Sequence, residues 1–220
     1  MIHYELIASG SSGNAAVIDS EILIDAGVPL KALRPYLKTL RVVLLTHEHK
    51  DHFNLSTIAA LSRERPSLRF VCGHWLYQGL LDCGVIKFNI DKMDIYEKAT
   101  YRNGLSVSMV PAIHNVPNCG YKVCLPSGEK LIYITDTNSL DGIEAKCFDL
   151  YMIEANYEDE EIRQRIKAKK AAGEYVYEYE VLKNHLSKAK ADDFINRNIG
   201  PDGKFVYLHV HTTQEAGGLT

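Results

Sequence analysis

Long apolar runs are missing from this sequence of 220 residues: no stretch approaches the roughly 18 uninterrupted apolar residues of a membrane helix, which excludes an integral helical membrane protein. The opening residues, Met1-Ile2-His3-Tyr4-Glu5-Leu6-Ile7, lack the basic start, apolar core and small-residue cleavage site of an export signal, so a cytoplasmic protein is expected. Cys-x-x-Cys pairs are missing too. Cys72, Cys83, Cys119, Cys124 and Cys147 form an odd set that reads as reduced, mostly buried thiols of a cytosolic protein, not as a disulfide framework. Neither sign of charge dominates: 25 Lys+Arg stand against 28 Asp+Glu, a formal net charge of -3, which offers no large basic field to a long polyanion. Nucleic acid is not favoured by charge.

What is present is the balance of an ordinary globular protein, 46% apolar and 24% charged, which excludes disordered, collagen-like and coiled-coil chains. The length suffices for a substantial core. With no short-period repeat or low-complexity linker, a single domain over 1–220 is expected.

Strand-like and helix-like pieces alternate. Strands are expected at 2–8, 14–18, 21–25, 42–45, 68–72, 105–110, 121–125, 131–135, 149–153 and 205–208, with Pro126-Ser127-Gly128-Glu129 as a hairpin turn. Helices are expected at 29–38, opened by Pro29, at 55–65, which stops before Pro66, and at 74–81, 159–172 and 187–198, the last with Ser187 as its N-cap. Strand runs followed by helices in each half predict two sheets packed face to face with helices outside.

The chemistry concentrates in Thr46-His47-Glu48-His49-Lys50-Asp51-His52, directly after the apolar run 42–45. Imidazoles and a carboxylate crowded at a strand end are expensive to bury, and the imidazoles repel one another if protonated. A metal ion resolves the conflict, because neutral imidazole nitrogens and carboxylate oxygens are what borderline cations such as zinc bind. His47 and His49 are two apart, so in an extended loop both rings can converge on one ion, while Asp51 and His52 can reach a second. His114, Asp136 and His209 each follow another apolar strand, which predicts a site built along a sheet edge. His211 competes with His209 for the last position.

The run His47-x-His49-x-Asp51-His52, followed in order by His114, Asp136 and His209, resembles the metallo-β-lactamase superfamily, and Asp25 matches its early aspartate beside the ligands. The resemblance implies an α/β fold of four layers, αββα, and two divalent ions, zinc first and manganese second. One ion would be held by His47, His49 and His114, the other by Asp51, His52 and His209, with Asp136 bridging. His185-Leu186-Ser187 looks like the His-x-Ser element of the phosphodiesterase branch, which includes tRNase Z and the YycJ-type exonucleases. Glu154-Ala155-Asn156 looks like the YycJ type as well, although Tyr157 stands where that group has histidine. Across nearly the whole chain, including Val116-Pro117-Asn118-Cys119-Gly120-Tyr121 and Gly173-Glu174-Tyr175-Val176-Tyr177, the sequence is similar to the bacteriophage anti-Pycsar phosphodiesterases.

That last resemblance implies a homodimer in the host cytoplasm that hydrolyses 3′,5′-cyclic mononucleotides such as cCMP, cUMP and cAMP; a nuclease shares every ligand and is the alternative. In either reaction a leaving alkoxide needs a proton, and an imidazole outside the metal shell is suited to give it, which makes His185 a catalytic candidate; Asp51, a ligand candidate, is the second. Ser187 and Tyr175 are candidates for substrate contact. Tyr175, Tyr177 and Tyr179 alternate, so in an extended segment they share one face, and 157–183 is long enough to cover the pocket or a partner's. Plainer roles are expected elsewhere. The Ser9–Gly13 run reads as a turn, with phosphate cradling as the lesser alternative, while His3, His74, Asp91, Asp94 and Asp141 read as surface, structural or turn residues. Lys167, Lys169 and Lys170 read as the solvated face of the charged helix 159–172.

Overall fold

Several of the apolar runs are buried at every residue, which a short strand achieves only when both of its faces are covered. The computed structural model, which describes residues 1–210, covers them in two stacked sheets. The first holds β1 Tyr4–Ala8, β2 Ala15–Ile18, β3 Ile22–Ile24, β4 Val42–Leu45, β5 Arg69–Gly73 and β6 Ile90–Met93 in chain order. β1 to β3 form an antiparallel meander, and β3 to β6 run parallel. The parallel steps are made through α1 Leu30–Leu33, α2 Leu55–Glu64 and α3 Tyr77–Asp82. The second sheet holds β7 Lys98–Thr100, β8 Ser106–Ala112, β9 Asn118–Cys124, β10 Lys130–Ile134, β11 Leu150–Glu154 and β12 Lys204–Leu208, again in chain order. Its last three strands are parallel. The connection from β11 to β12 carries α4 Asp159–Ala172, α5 Glu178–Asn184 and α6 Lys188–Asn198.

Alternation within the apolar runs builds the layers. Val42 and Leu44 join Met109, Tyr121, Tyr133 and Met152 between the sheets, whereas Val43 and Leu45 pack outward with Ile58 and Leu61 of α2. Ile132 and Ile134 of β10 pack outward with Phe194 and Ile195 of α6. The order is helix, sheet, sheet, helix, the four-layer α/β arrangement expected. Each fully buried aliphatic side chain contributes about 1.5–3 kcal/mol relative to exposure. Polar contacts also cross between the sheets: the Tyr121 hydroxyl donates to the Leu45 carbonyl at 2.6 Å, pinning the strand end that leads into the histidine run.

Some elements differ from expectation. β6 and β7 do not stand out in the sequence because Asp91, Lys92 and Lys98 interrupt their apolar character. Asp91 is not a surface or turn residue: on β6 it accepts from Arg69 Nε at 2.9 Å and from the Tyr101 hydroxyl at 2.8 Å. The helix at 29–38 is instead the single turn α1 followed by a 3-10 turn, Arg34–Tyr36, in which Pro35 has no N–H to continue the α pattern. Tyr177 is helical and caps α5, so Tyr175, Tyr177 and Tyr179 do not share a strand face.

Burial sorts the thiols. Cys147 is exposed, Cys83 and Cys124 are half-buried, and Cys72 and Cys119 are buried. Burial, with the nearby Asp91 charge adding to it, pushes the Cys72 thiol up to about 12. Native protein treated with a thiol reagent should therefore lose Cys147 first, and Cys72 and Cys119 should react only after denaturation. Mass spectrometry of timed samples checks the order, and early labelling of Cys119 would contradict the packing.

Candidate metal centre

Several strands leave the sheets at one edge, and some do so through a strained residue. Asp25 follows β3 at φ 60, Asp136 follows β10 at φ 51, and His209 follows β12 at φ 51. Left-handed backbone at a non-glycine residue costs on the order of 1 kcal/mol or more and persists where the surroundings over-determine it. Here those surroundings are side-chain amides and hydroxyls. Asn118 donates from Nδ2 to the carbonyl of Asp136 at 2.7 Å and to that of Thr135 at 3.2 Å. Ser9 Oγ accepts the His209 N–H at 2.7 Å, and Asn156 Nδ2 lies 2.8 Å from His209 Nδ1. The histidine loop is seated against Gly27, where a Cβ would stand 1.6 Å from the Asp51 carbonyl oxygen, so only glycine fits. Asn14 donates its backbone N–H to that same oxygen at 2.6 Å. The Ser9–Gly13 turn thus braces the centre: its Gly10 N–H is taken by Asn14 Oδ1 at 2.9 Å and its Gly13 N–H by the Gly10 carbonyl at 3.0 Å.

The edge brings every metal-ligand candidate among the described residues together. His47, His49 and His114 offer nitrogens within 4.8 Å of one another, as do the donor atoms of Asp51, His52 and His209, and those of His47, His52 and Asp136. His49 Nδ1 stands 3.2 Å from His47 Nε2 and 3.3 Å from His114 Nε2. Asp136 Oδ2 is 2.9 Å from His52 Nε2, and its other oxygen is 3.8 Å from His209 Nε2. His211, the competing last histidine, lies outside the described residues. His3 and His74 are exposed and away from this group.

Hydrogen bonds set which nitrogen faces inward. The Thr46 hydroxyl donates its one proton to Asp25 at 2.9 Å, so at 3.0 Å from His47 Nδ1 it accepts, leaving His47 Nε2 for the centre. His52 Nδ1 donates to Asp25 at 2.7 Å and His114 Nδ1 to the Asn184 carbonyl at 3.0 Å, with the same result for their Nε2 atoms. Burial pushes His47 down to about 2, so it is a neutral imidazole. Burial likewise lowers His114. At Asp51, burial acts upward but the neighbouring His209 and His52 rings, with Nε2 atoms 3.9 and 3.5 Å from its Oδ2, outweigh it and hold the carboxyl well below its usual range. At Asp136 the same upward push is outweighed by its imidazole neighbours, His52 first, and its carboxyl is held well below the usual range. Neutral imidazole lone pairs converging at 3.2–3.3 Å beside ionised carboxylates repel one another unless a cation lies between them, and this donor set fits divalent ions of the zinc type.

A further pair stands beside the centre. The Glu154 carboxylate is buried at the end of β11, accepts the Thr137 N–H at 2.8 Å and lies 2.7 Å from His185 Nδ1. Burial pushes Glu154 up, and its bond to His185 pulls the other way. His185 stacks on His209 with ring centroids 5.2 Å apart and meets His114 edge-on at 5.5 Å. These rings and Asp136 line a cavity of about 360 Å³ that is closed on one side by Tyr177, Val181 and Asn184.

The two expected substrate contacts are placed differently. Ser187 is buried and its Oγ caps α6, accepting the Lys190 N–H at 3.4 Å, so its position is structural. Tyr175 is 79% exposed and does not line the cavity; Tyr177, brought inward by the start of α5, does. Glu154, Asn14, Asn118, Asn156 and Thr46 carry roles that composition and spacing alone do not announce. Glu154 had a signal, since it ends an apolar parallel strand beside the one that leads to Asp136.

Two sheets presenting imidazoles and carboxylates at a common edge define a metal-dependent hydrolase scaffold. The profile of the beta-lactamase superfamily domain matches residues 20–184, and the chain belongs to this metallo-β-lactamase superfamily. Exodeoxyribonuclease WalJ of Streptococcus pneumoniae is 24% identical over 226 aligned positions, which cover 93% of this chain and 80% of that protein. Exodeoxyribonuclease YycJ of Bacillus anthracis is 31% identical over 75 positions, 30% of this chain and 28% of that one. Among solved structures, the metallo-beta-lactamase fold protein YhfI of Bacillus subtilis superposes with a TM-score of 0.70 at 16% identity, covering 97% of this chain and 89% of that one. Igni18, a metallo hydrolase of Ignicoccus hospitalis, has a TM-score of 0.51 at 23% identity over 77% of this chain and 78% of that one. These structural likenesses concern the fold.

Asp25 touches none of the inward-facing nitrogens, yet it orients His52 and fixes Thr46. Asp25→Asn should weaken divalent-metal binding by about 10–100-fold while the protein stays folded. Chelator competition with metal analysis checks this, and an unchanged affinity would contradict the orienting role.

Proposed function

We propose that the protein is a dinuclear phosphodiesterase that opens 3′,5′-cyclic mononucleotides, cCMP, cUMP and cAMP among them, to linear nucleotides. The observation that carries the reading is His185. Its Nδ1 is engaged by buried Glu154 at 2.7 Å, so its Nε2 is free to serve substrate beside the ligand groups. His47, His49 and His114 would hold one ion, Asp51, His52 and His209 the other, with Asp136 between them; zinc suits these donors and manganese is the second choice. The chemistry supplied by divalent ions at such a centre is neutralisation of phosphate charge and activation of water.

The chain's own groups do the rest. Water that gives up one proton to solvent bonds through its oxygen to phosphorus as the bond from phosphorus to the 3′ oxygen breaks, the leaving 3′ oxygen takes the proton from His185 Nε2, and the proton released by water restores that site. Glu154 accepts the hydrogen bond of the Nδ1–H, which stays on the ring throughout, and holds the ring in line. Asp51, partly exposed and ionised, faces the cavity where the attacking water would lie. A small anionic substrate is favoured by the lining of the 360 Å³ cavity, which includes neither lysine nor arginine. A long backbone would call for a cationic track. The resemblance to anti-Pycsar enzymes points to the same substrate class and to a phage protein acting against host cyclic-nucleotide signals. The resemblance also points to a homodimer, and exposed Tyr175, Tyr179 and Leu182 offer apolar surface to a second copy. A second reading, a metal-dependent exonuclease, is favoured by the names of the Streptococcus and Bacillus anthracis relatives.

A panel of cyclic mononucleotides, cyclic dinucleotides and single-stranded DNA and RNA, with metal analysis, tests the proposal. Cyclic mononucleotides should be opened at rates little affected by salt; degradation of DNA alone, with steep salt dependence, would replace this reading by the second. His185→Ala should lower kcat by about 10²–10⁴-fold with metal content unchanged. Unchanged turnover would remove the phosphodiester mechanism.

A further inference from the structure

A second cavity, of about 700 Å³, lies on the other side of His49 from the 360 Å³ space over the centre, and His49 lines both. Its apolar walls are Phe53, Leu55, Trp75, Leu76 and Gly79, and Glu48 and Lys50 line it with charges of opposite sign. Its volume falls within the range of about 300–1,000 Å³ typical of small-molecule sites. Apolar walls of this kind are normally filled during folding, and here one lining residue is a glycine, Gly79, while a second, Gly73, seats the Trp75 ring. A Cβ at Gly73 would lie 2.2 Å from the Trp75 ring, so the missing side chain lets the indole rest on the backbone. Gly79 sits inside α3, where glycine costs about 1 kcal/mol relative to alanine, and a Cβ there would stand 3.2 Å from the Phe53 ring.

The aromatic wall is also tied to the centre. Trp75 Nε1 donates to the carbonyl of Thr46 at 3.2 Å, and Thr46 is the residue whose N–H and hydroxyl bind Asp25. Phe53 follows His52 directly and is 5% exposed, while Leu55 at the mouth is 58% exposed. A fixed indole, a fixed phenyl ring and an uncovered leucine, one histidine away from a phosphate-handling centre, are the elements of a seat for a planar heteroaromatic ring.

We infer that this cavity binds the base of a nucleotide substrate, with the ring against Trp75 and Phe53 and the phosphate reaching the centre past His49. The inference rests on the phosphodiesterase reading above and adds to it where the base lies. Because recognition is by aromatic and apolar surface, it accepts purines and pyrimidines alike.

Trp75 is the only tryptophan of the chain, so its fluorescence reports directly on this cavity. The metal-loaded enzyme is titrated with AMP and, separately, with ribose 5-phosphate. Saturable quenching by AMP and none by ribose 5-phosphate is the expected result. Leu55→Glu, at an exposed rim position, should raise KM for a cyclic mononucleotide by about tenfold and change kcat by less than about twofold. If the wild-type enzyme opens cyclic nucleotides but AMP leaves the fluorescence unchanged, or Leu55→Glu leaves KM unchanged, the base lies elsewhere and the phosphodiesterase reading survives alone. Quenching by AMP without hydrolysis of any phosphodiester would keep the nucleotide site and discard the hydrolytic reading.

Discussion

A single buried carboxylate organises the centre. Asp25 has no exposure to solvent, yet it accepts from the Thr46 N–H and hydroxyl, from His52 Nδ1 and from the Tyr133 hydroxyl. Burying a charge without partners is prohibitive, so these donors and the carboxylate hold one another in place. The partners come from both sheets. Tyr133 lies on β10 of the second sheet, while Asp25 and Thr46 end strands of the first, so the stacking of the sheets and the orientation of His52 are parts of one network.

The same logic repeats around the site with other residues. Asparagines brace the loops that carry the inward-facing groups, Asn14 at the histidine loop, Asn118 at Asp136 and Asn156 at His209. Left-handed backbone at Asp25, Asp136 and His209 turns each side chain toward the centre as its strand ends. That strain, the close approach at Gly27 and the burial of His47 all favour geometry over stability, the usual signature of a functional edge.

Much of this was readable in the residues alone. Strands buried on both faces betray themselves as unbroken apolar runs, so β4, β10 and β11 were legible, as was the array of His47, His49, Asp51, His52, His114, Asp136 and His209 at strand ends. The short edge strands β6 and β7 were not, because charged residues hide their pattern. Nor could alternation distinguish an extended tyrosine face from the helix start at Tyr177: that choice depends on the tertiary setting of α4 and α5, including the contact of Lys169 with Glu178 at 2.8 Å. Supporting asparagines stay invisible because their partners are remote in sequence, as with Asn156 and His209, which are 53 positions apart.

Among the described residues β12 sits at the edge of its sheet, paired with β11 alone, and it delivers His209 to a group whose other members are supplied much earlier in translation. The bond from the His209 N–H to Ser9 spans 200 positions. A ribosome-bound chain that has already folded its first sheet therefore carries an incomplete second ligand group until β12 docks. Fraying of that outer strand in the finished molecule would open the centre while the inner strands of the sheet stay paired.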